Sequence, residues 1–478
     1  MLPLYGMIYR KFFFLFFFNL LSGGISAQES WSLKQCIDQA LKGSLRIKQA
    51  DLSIRQSSIN LLQARSNVLP SINAQFQNFY NNGKTIDRFT NTFANATVQS
   101  MNMFAGSQLT LFNGLQNYQT IRQNEHGLAA SRFDAGQVKN DVALSVANAY
   151  LQVLLSLEVK ESAEQQASLT RQQVERAQKL VDAGVSAKGN LLQTEAQLAA
   201  EELAVVTAGN ALNMARLNLV QLLELPEGSN IEIQRPQVPE PSQSLLPSSA
   251  QDVYASAMKI QPSVRSAEER TVSARHAYKA SRGAALPSLQ LNASLGTGYS
   301  GLSRKIVGFE TPEPILIGAT EGGVPVYTLA SNPITSLTPV REQFSDNVNR
   351  TYGFTLSLPV FNNLQVRNRS ELSRVQVEQA ELTLQQSKRQ LQKDVEQAFL
   401  DAVSALQKYN AAKKSLLALE ENFRYAQQRF DAGAINAFEY NDGKTRLAKS
   451  KYDLIQARYE FTFRLKILDY YQGRELTL

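Results

Sequence analysis

Four stretches of the chain alternate apolar and polar residues with a period of two. After Pro70, Ile72, Ala74 and Phe76 interleave with Asn73, Gln75 and Gln77. After Pro287, Leu289, Leu291, Ala293 and Leu295 interleave with Gln290, Asn292 and Ser294. Two return stretches place Met101, Met103, Ala105, Leu109 and Leu111, and Tyr352, Phe354, Leu358 and Val360, on one face. Asn102, Gln108 and Thr110, or Thr355 and Ser357, fall on the other. That period predicts β-strands over about 71–82, 97–112, 288–299 and 351–361. Strands of about ten residues suit a tilted crossing of lipid with one face wet. The strands alone fit a soluble sheet with one solvated face equally well.

The long stretches between them change period. From Leu391 the apolar positions run Val395, Ala398, Ala402, Ala405, Tyr409, Ala412, Leu416, Leu419, Phe423, Ala426 and Phe430, in steps of four and three. A strict seven-residue repeat makes a left-handed coiled-coil seam, and its small residues let helix axes approach. An earlier stretch follows the rule less strictly through Val142, Val146, Ala149, Val153, Ala163, Ala167, Val174, Ala177 and Val181, interrupted by Ser156, Lys160 and Thr170. Long helices are predicted over about 115–181, 187–224, 364–430 and 436–472. The longest would extend about 100 Å at 1.5 Å per residue, too far to curl around a globular core. A two-faced four-strand sheet in lipid must close into a barrel, because every unpaired backbone group there costs several kcal/mol. Four strands are too few to close, so an oligomer is required.

The chain is one unit written twice. Leu69-Pro70-Ser71 recurs as Leu286-Pro287-Ser288, an offset of 217, which also aligns Ser32 with Ser249 and Ala40 with Ala257. Downstream the offset is 249, aligning Leu111-Phe112-Asn113 with Val360-Phe361-Asn362 and Asp182-Ala183-Gly184 with Asp431-Ala432-Gly433. The second copy therefore carries 32 extra residues between Ser288 and Val360. The resulting organisation is a leader at 1–27, a first repeat at 28–225, a linker at 226–248 rich in proline, and a second repeat at 249–478. Each repeat opens with a moderate helix, about 44–68 and 263–285, and Ser32-x-x-Gln35 reads as a capping box. Five prolines from Pro312 to Pro339 predict that the insertion, about 301–350, is an irregular surface loop.

Composition narrows the chemistry. The net charge is +7 over 478 residues with no long basic run, which gives nucleic-acid binding little support. Cys36 is the single cysteine, so an internal disulfide or thiolate cage is excluded. The two histidines, His126 and His276, read as exposed helical residues, and no catalytic, metal or cofactor constellation is expected. Arg10-Lys11, the apolar run Phe12–Leu21, and Ser22-Gly23-Gly24-Ile25-Ser26-Ala27 have the layout of a cleaved export signal. No cysteine stands at the cleavage zone, so no N-terminal lipid anchor is expected.

As a set, these residues resemble the TolC family of outer-membrane channel proteins. They are Trp31-Ser32-Leu33-x-x-Cys36-Ile37-x-x-Ala40-Leu41, Leu111-Phe112-Asn113-Gly114, Leu358-Pro359-Val360-Phe361-Asn362, Arg429-Phe430-Asp431-Ala432-Gly433 and Ala457-x-Tyr459. The resemblance implies a mainly α fold with a β-barrel part. Each chain would give four transmembrane strands and long coiled-coil helices to a homotrimer, whose 12-stranded barrel continues as a helical tunnel across the periplasm. It implies an exit duct for efflux or type I secretion in the outer membrane of a Gram-negative cell, with most of the chain in the periplasm. A periplasmic adaptor and an inner-membrane pump would be its partners. A structural periplasmic coiled-coil protein without a channel is the alternative reading.

Position by position, the resemblance places the periplasmic tips and adaptor contact at Gly184-Val185-Ser186 and Gly433-Ala434-Ile435. It places the pore gate at Glu439 and Asp442, which at i and i+3 share a helix face. Three copies would ring six carboxylates around one axis and attract cations. A polar latch of the family falls here on Ile435, Phe430 and Asn190, so closure is expected to rest on apolar packing instead.

Overall fold

The computed structural model describes residues 30–477 except Arg88, Thr92, Ala96, Glu227, Asn230 and Gln237. The export segment expected at 1–27 lies outside the described residues.

The helices come in matched pairs. α1 (Leu33–Gly43) and α5 (Ala250–Ile260) each have 11 residues. α2 (Leu45–Ser66) and α6 (Pro262–Gly283) have 22. α3 (Gln116–Asp182) and α8 (Gln365–Asp431) have 67, and α4 (Lys188–Leu222) and α9 (Ala437–Tyr471) have 35. A short helix, α7 (Val340–Asp346), lies in the insertion. Ser32 closes the capping box of α1: its hydroxyl accepts the Gln35 N–H while the Gln35 side chain accepts the Ser32 N–H. Two compact units cut across the two copies. One holds the described residues through Ile54 with Ala130–Glu268 and Thr383–Leu478; the other holds Arg55–Ala129 and Glu269–Leu382.

The second of these units carries a four-stranded antiparallel sheet. β1 (Ser71–Asn81), β4 (Val98–Asn113), β5 (Ser288–Ser300) and β10 (Asn349–Ser357) pair in that order, which leaves β1 and β10 with one neighbour each among the described residues. The register puts Ile72, Ala74 and Phe76 opposite Ser107, Ala105 and Met103. It continues the same face across the sheet through Leu291 and Leu295 to Tyr352, Phe354 and Leu356. This apolar face is open: Ile72 is 76%, Phe354 70% and Tyr352 85% exposed. The other face is a lattice of amides and hydroxyls. Gln108 Nε2 donates to Gln290 Oε1 (2.9 Å) and Asn292 Nδ2 to Thr355 Oγ1 (3.0 Å).

Two expected positions are corrected here. The ladder slips between Thr110 and Phe112, so Phe112 pairs with Leu289 and Leu111 is the extra residue of a bulge rather than a member of the apolar face. β10 stops at Ser357, so Leu358 and Val360 lie beyond the strand. Pro359 has no N–H to continue a ladder.

The insertion is also corrected, because it is ordered β-structure rather than an irregular loop. β6 (Arg304–Phe309) pairs with β9 (Pro333–Leu337), and β7 (Glu313–Ala319) with β8 (Pro325–Ala330), ahead of α7. Proline did not preclude this: Pro325 and Pro333 open their strands, and a two-stranded ribbon has outer edges where a missing donor costs nothing. The short strands β2 (Lys84–Ile86) and β3 (Phe93–Asn95) form a further ribbon.

The first unit is helical. Its largest core packs Leu33, Cys36 and Ala40 of α1 against Val142, Val146, Tyr150 and Val153 of α3 and Leu212, Leu219 and Leu223 about α4. Ile231 and Ile233 of the proline-rich linker complete that core. The Tyr150 hydroxyl donates to the Gln234 carbonyl (2.6 Å). A second core joins Val253 and Ala257 of α5 to Leu391, Val395, Ala398 and Ala402 of α8 and Leu468 of α9. Along α8 the seam is buried from Leu391 to Tyr409 and only partly buried from Ala412 to Ala426.

Candidate functional site

The two hairpins that follow α3 and α8 share one backbone solution. Gly184 has φ +71° and Gly433 φ +70°, the left-handed region that a Cβ disfavours. At the first, the Gly184 N–H donates to the Val181 carbonyl and the Val185 N–H to that of Leu180. At the second, Gly433 donates to Phe430 and Ala434 to Arg429. These paired bonds are the Schellman closure, which satisfies carbonyls the ended helix would otherwise orphan. Val185 stands 74% exposed at the tip. Ser186, Ala434 and Ile435 fill the remaining turn positions.

The hairpins differ at the helix that follows. Asn436 caps α9, its Oδ1 accepting the Glu439 N–H at 2.9 Å, whereas Ala187 precedes α4 with no side-chain cap. Glu439 lies in the first turn of α9, and Asp442 one turn later. Both are exposed, while Tyr440, Asn441 and Lys444 between and beyond them are buried. Asp442 is not a bare carboxylate: its Oδ2 lies 2.9 Å from Nε of Arg446 on the next turn.

Phe430 and Asn190 each bond within their own hairpin. Phe430 stacks on Tyr440, with ring centroids 4.6 Å apart, and Phe423 meets the same ring at 5.3 Å. Asn190 donates from Nδ2 to Ser186 Oγ at 3.4 Å.

Beside Glu439 and Asp442, toward the interior, lies a polar cluster that sequence reading missed. Lys444 of α9, with a side chain 4% exposed, is 3.6 Å from Glu201 of α4, itself 10% exposed. Lys444 donates to the Thr170 hydroxyl of α3, which in turn donates to Glu201. Gln197 and Gln166 donate to the same carboxylate at 2.9 and 3.3 Å. Gln173 donates to the Tyr440 hydroxyl at 2.7 Å, and that hydroxyl donates to Gln427 at 2.6 Å. Burial pulls the Lys444 amine below its ordinary range, and Glu201 acts against that shift. Burial also pushes the Tyr440 phenol up. The one sequence signal was Thr170, a polar residue standing in an apolar seam. Among the described residues, no group of three His, Cys, Asp or Glu side chains is placed to hold a metal ion.

With this geometry in place, the comparisons with known proteins converge. The profile of the family described as outer membrane efflux protein matches residues 36–224 and 253–470. Outer membrane protein TolC of Escherichia coli (strain K12) is 23% identical over 450 residues, covering 92% of this chain and 82% of that one. The solved CusC structure superposes with a TM-score of 0.74 at 16% identity, covering 95% of this chain and 96% of its own. The open-state outer-membrane channel MtrE of Neisseria gonorrhoeae gives 0.70 at 17% identity, covering 93% and 90%. Two copies of a strand–helix unit, a two-faced sheet and a profile spanning most of both copies leave one assignment: this chain belongs to the outer membrane efflux protein family, the TolC-type exit channels of efflux systems that reside in the outer membrane.

Proposed function

We propose that three copies of this chain close one barrel and act as a passive exit duct, opened when a periplasmic adaptor and its inner-membrane pump dock at the tips. The observation that carries this reading is the sheet. It has one open apolar face, one polar face and, among the described residues, an unpaired edge on each side. Such a sheet is stable in lipid only when closed, and three copies of four strands make a barrel wide enough to hold a water-filled lumen. The polar face then lines the lumen, and no catalytic chemistry or cofactor is involved.

Gly184-Val185-Ser186 and Gly433-Ala434-Ile435 form the tips that meet the adaptor. Glu439 and Asp442 supply the constriction. Because Arg446 pairs with Asp442, Glu439 carries more of the negative field, and the ring selects cations less strongly than six bare carboxylates would. Closure rests on Phe430, Tyr440 and Phe423 packed together in place of a polar latch.

The test is purification from membranes, crosslinking to count copies, and single-channel recording. A trimer with cation-selective conductance, reduced in selectivity by Glu439→Ala with Asp442→Ala, is the expected outcome. Recovery of the chain as a soluble periplasmic protein, or selectivity unchanged in the double variant, would defeat the duct and the gate assignment respectively.

A further inference from the structure

The chain contains two histidines 150 residues apart, and the fold stacks them. The rings of His126 on α3 and His276 on α6 have centroids 5.4 Å apart and planes 9° from parallel. Neither is the exposed helical residue that the sequence suggests; both are half-buried. Nδ1 of His126 lies 2.6 Å from Glu269 Oε2, and Nδ1 of His276 lies 2.7 Å from Gln119 Oε1. An amide oxygen only accepts, so His276 donates from Nδ1, and Nε2 is the atom that takes a further proton. A metal chelate needs both lone pairs aimed at one point. Stacked rings send their in-plane lone pairs side by side rather than to one point, so this arrangement answers to protons rather than to an ion.

The charged groups around the pair come from several elements. Arg122 and Glu125 stand on α3, with Arg65 of α2 bonded to Glu125 at 2.8 Å. Glu269 and Lys279 stand on α6, and on its flank Arg275 bonds Glu381 of α8 at 2.7 Å. One carboxylate, Glu269, touches the pair directly and balances one imidazolium. Lys279 and Arg122 oppose a second.

The same two helices are pinned at one end. α3 leaves β4 through Gly114, and α6 leads to β5 from Gly283. A Cβ on Gly114 would lie only 2.1 Å from the Gly283 carbonyl oxygen. That contact holds the helices together beside the paired strands. About two to three turns further along α3, the histidines and the Ser273 bond to the Gln123 carbonyl (2.8 Å) form the next joint.

We propose that His126 and His276 form a proton-operated clasp between α3 and α6. With one proton the stack is anchored by Glu269, and a second proton sets two cations face to face and releases α6 from α3 beyond its glycine pin. Burial and the cations Lys279 and Arg122 hold His276 below the ordinary imidazole range. For a base held low, the folded contact is complete above the ordinary value of 6.5 and weakens as pH falls below it. The clasp concerns two helices of one chain, so it stands apart from the duct reading and is tested without transport.

The test uses the full-length, untagged chain in detergent with isotope-labelled histidine, which gives two ring signals to follow. The expected result is two proton-uptake steps that belong to the pair, with the lower one moving up in His126→Gln. In parallel, amide exchange of α6 between Thr271 and Lys279, corrected for intrinsic rate, rises on the order of tenfold as the second proton binds. That rise is absent in His126→Gln/His276→Gln. Two independent, superimposable titrations, or a rise that persists in the double variant, would overturn the clasp.

Discussion

α3 and α8 are both 67 residues long and occupy equivalent places in the two copies, yet they pack by different rules. α8 buries a seven-residue seam of Val395, Ala398, Ala402, Ala405 and Tyr409. α3 begins in the same way with Val142, Val146 and Val153, then buries Ser156 and Thr170. An apolar seam is non-directional and tolerates sliding, because each methyl is content with any apolar neighbour. A buried hydroxyl needs a specific partner, and Thr170 finds it in the Lys444–Glu201 pair. The comparison teaches that the α8 seam holds its neighbours by apolar adhesion alone, while α3 adds a buried hydroxyl that fixes register against α4 and α9. A polar group inside a helical seam fixes alignment at a cost in stability.

The strongest way to break this contrast is Lys444→Ala. It leaves Glu201 buried without its cation and should cost about 3–5 kcal/mol in denaturant unfolding. Lys444→Met with Glu201→Leu removes both charges and should recover most of that loss while loosening the alignment of α9 against α3. A double variant as unstable as the single one would mean that the pair is more than a register device.

On the α8 side, Ala402→Leu forces bulk into a seam where Ala402 is fully buried, and should cost about 1–3 kcal/mol. A neutral effect would show that the α8 seam is looser than its repeat implies.

The apolar start of α3 is sharpened by Cys36, which packs there and whose thiol burial pushes up to about 12. A thiol raised in the folded state stabilises fully below its ordinary value of 9.0 and loses that contribution as pH climbs toward 12. By pH 10 the loss should reach about 1.4 kcal/mol, read as the difference from Cys36→Ala, and maleimide should label Cys36 only after unfolding.

The smallest effect separates the two hairpins. Asn436→Ala should cost about 1 kcal/mol by removing the α9 cap, whereas Ala187→Ser should gain a few tenths at the uncapped start of α4. Equal responses at both ends would erase the distinction.

How much was legible follows the range of the physics. Ile72, Ala74 and Phe76 declared a two-faced strand because successive side chains must leave on opposite sides. Gly184 and Gly433 declared helix ends because the left-handed turn excludes most other residues. Leu111 was misplaced because a bulge shifts phase without leaving a mark in the alternation. The hairpins of the insertion were hidden because proline marks breaks in long strands but is harmless at the edges of short ribbons. Of the start of α9, the shared face of Glu439 and Asp442 was readable from spacing, while the Arg446 pairing and the buried Lys444 behind it were not.

The sequence by itself determined the local order: which stretches alternate, which repeat every seven residues, where the chain must turn, and that the unit is written twice. Apart from the duplication, which shows as offsets of 217 and 249 residues, those properties depend on neighbours within a turn or two. Only the tertiary structure decided that His126 meets His276 and that Lys444 meets Glu201 and Thr170. These encounters join residues 150 to 274 positions apart, excepting the 31 between Thr170 and Glu201. No spacing rule reaches that far, because packing and desolvation, rather than backbone geometry, select the partner of a buried polar side chain.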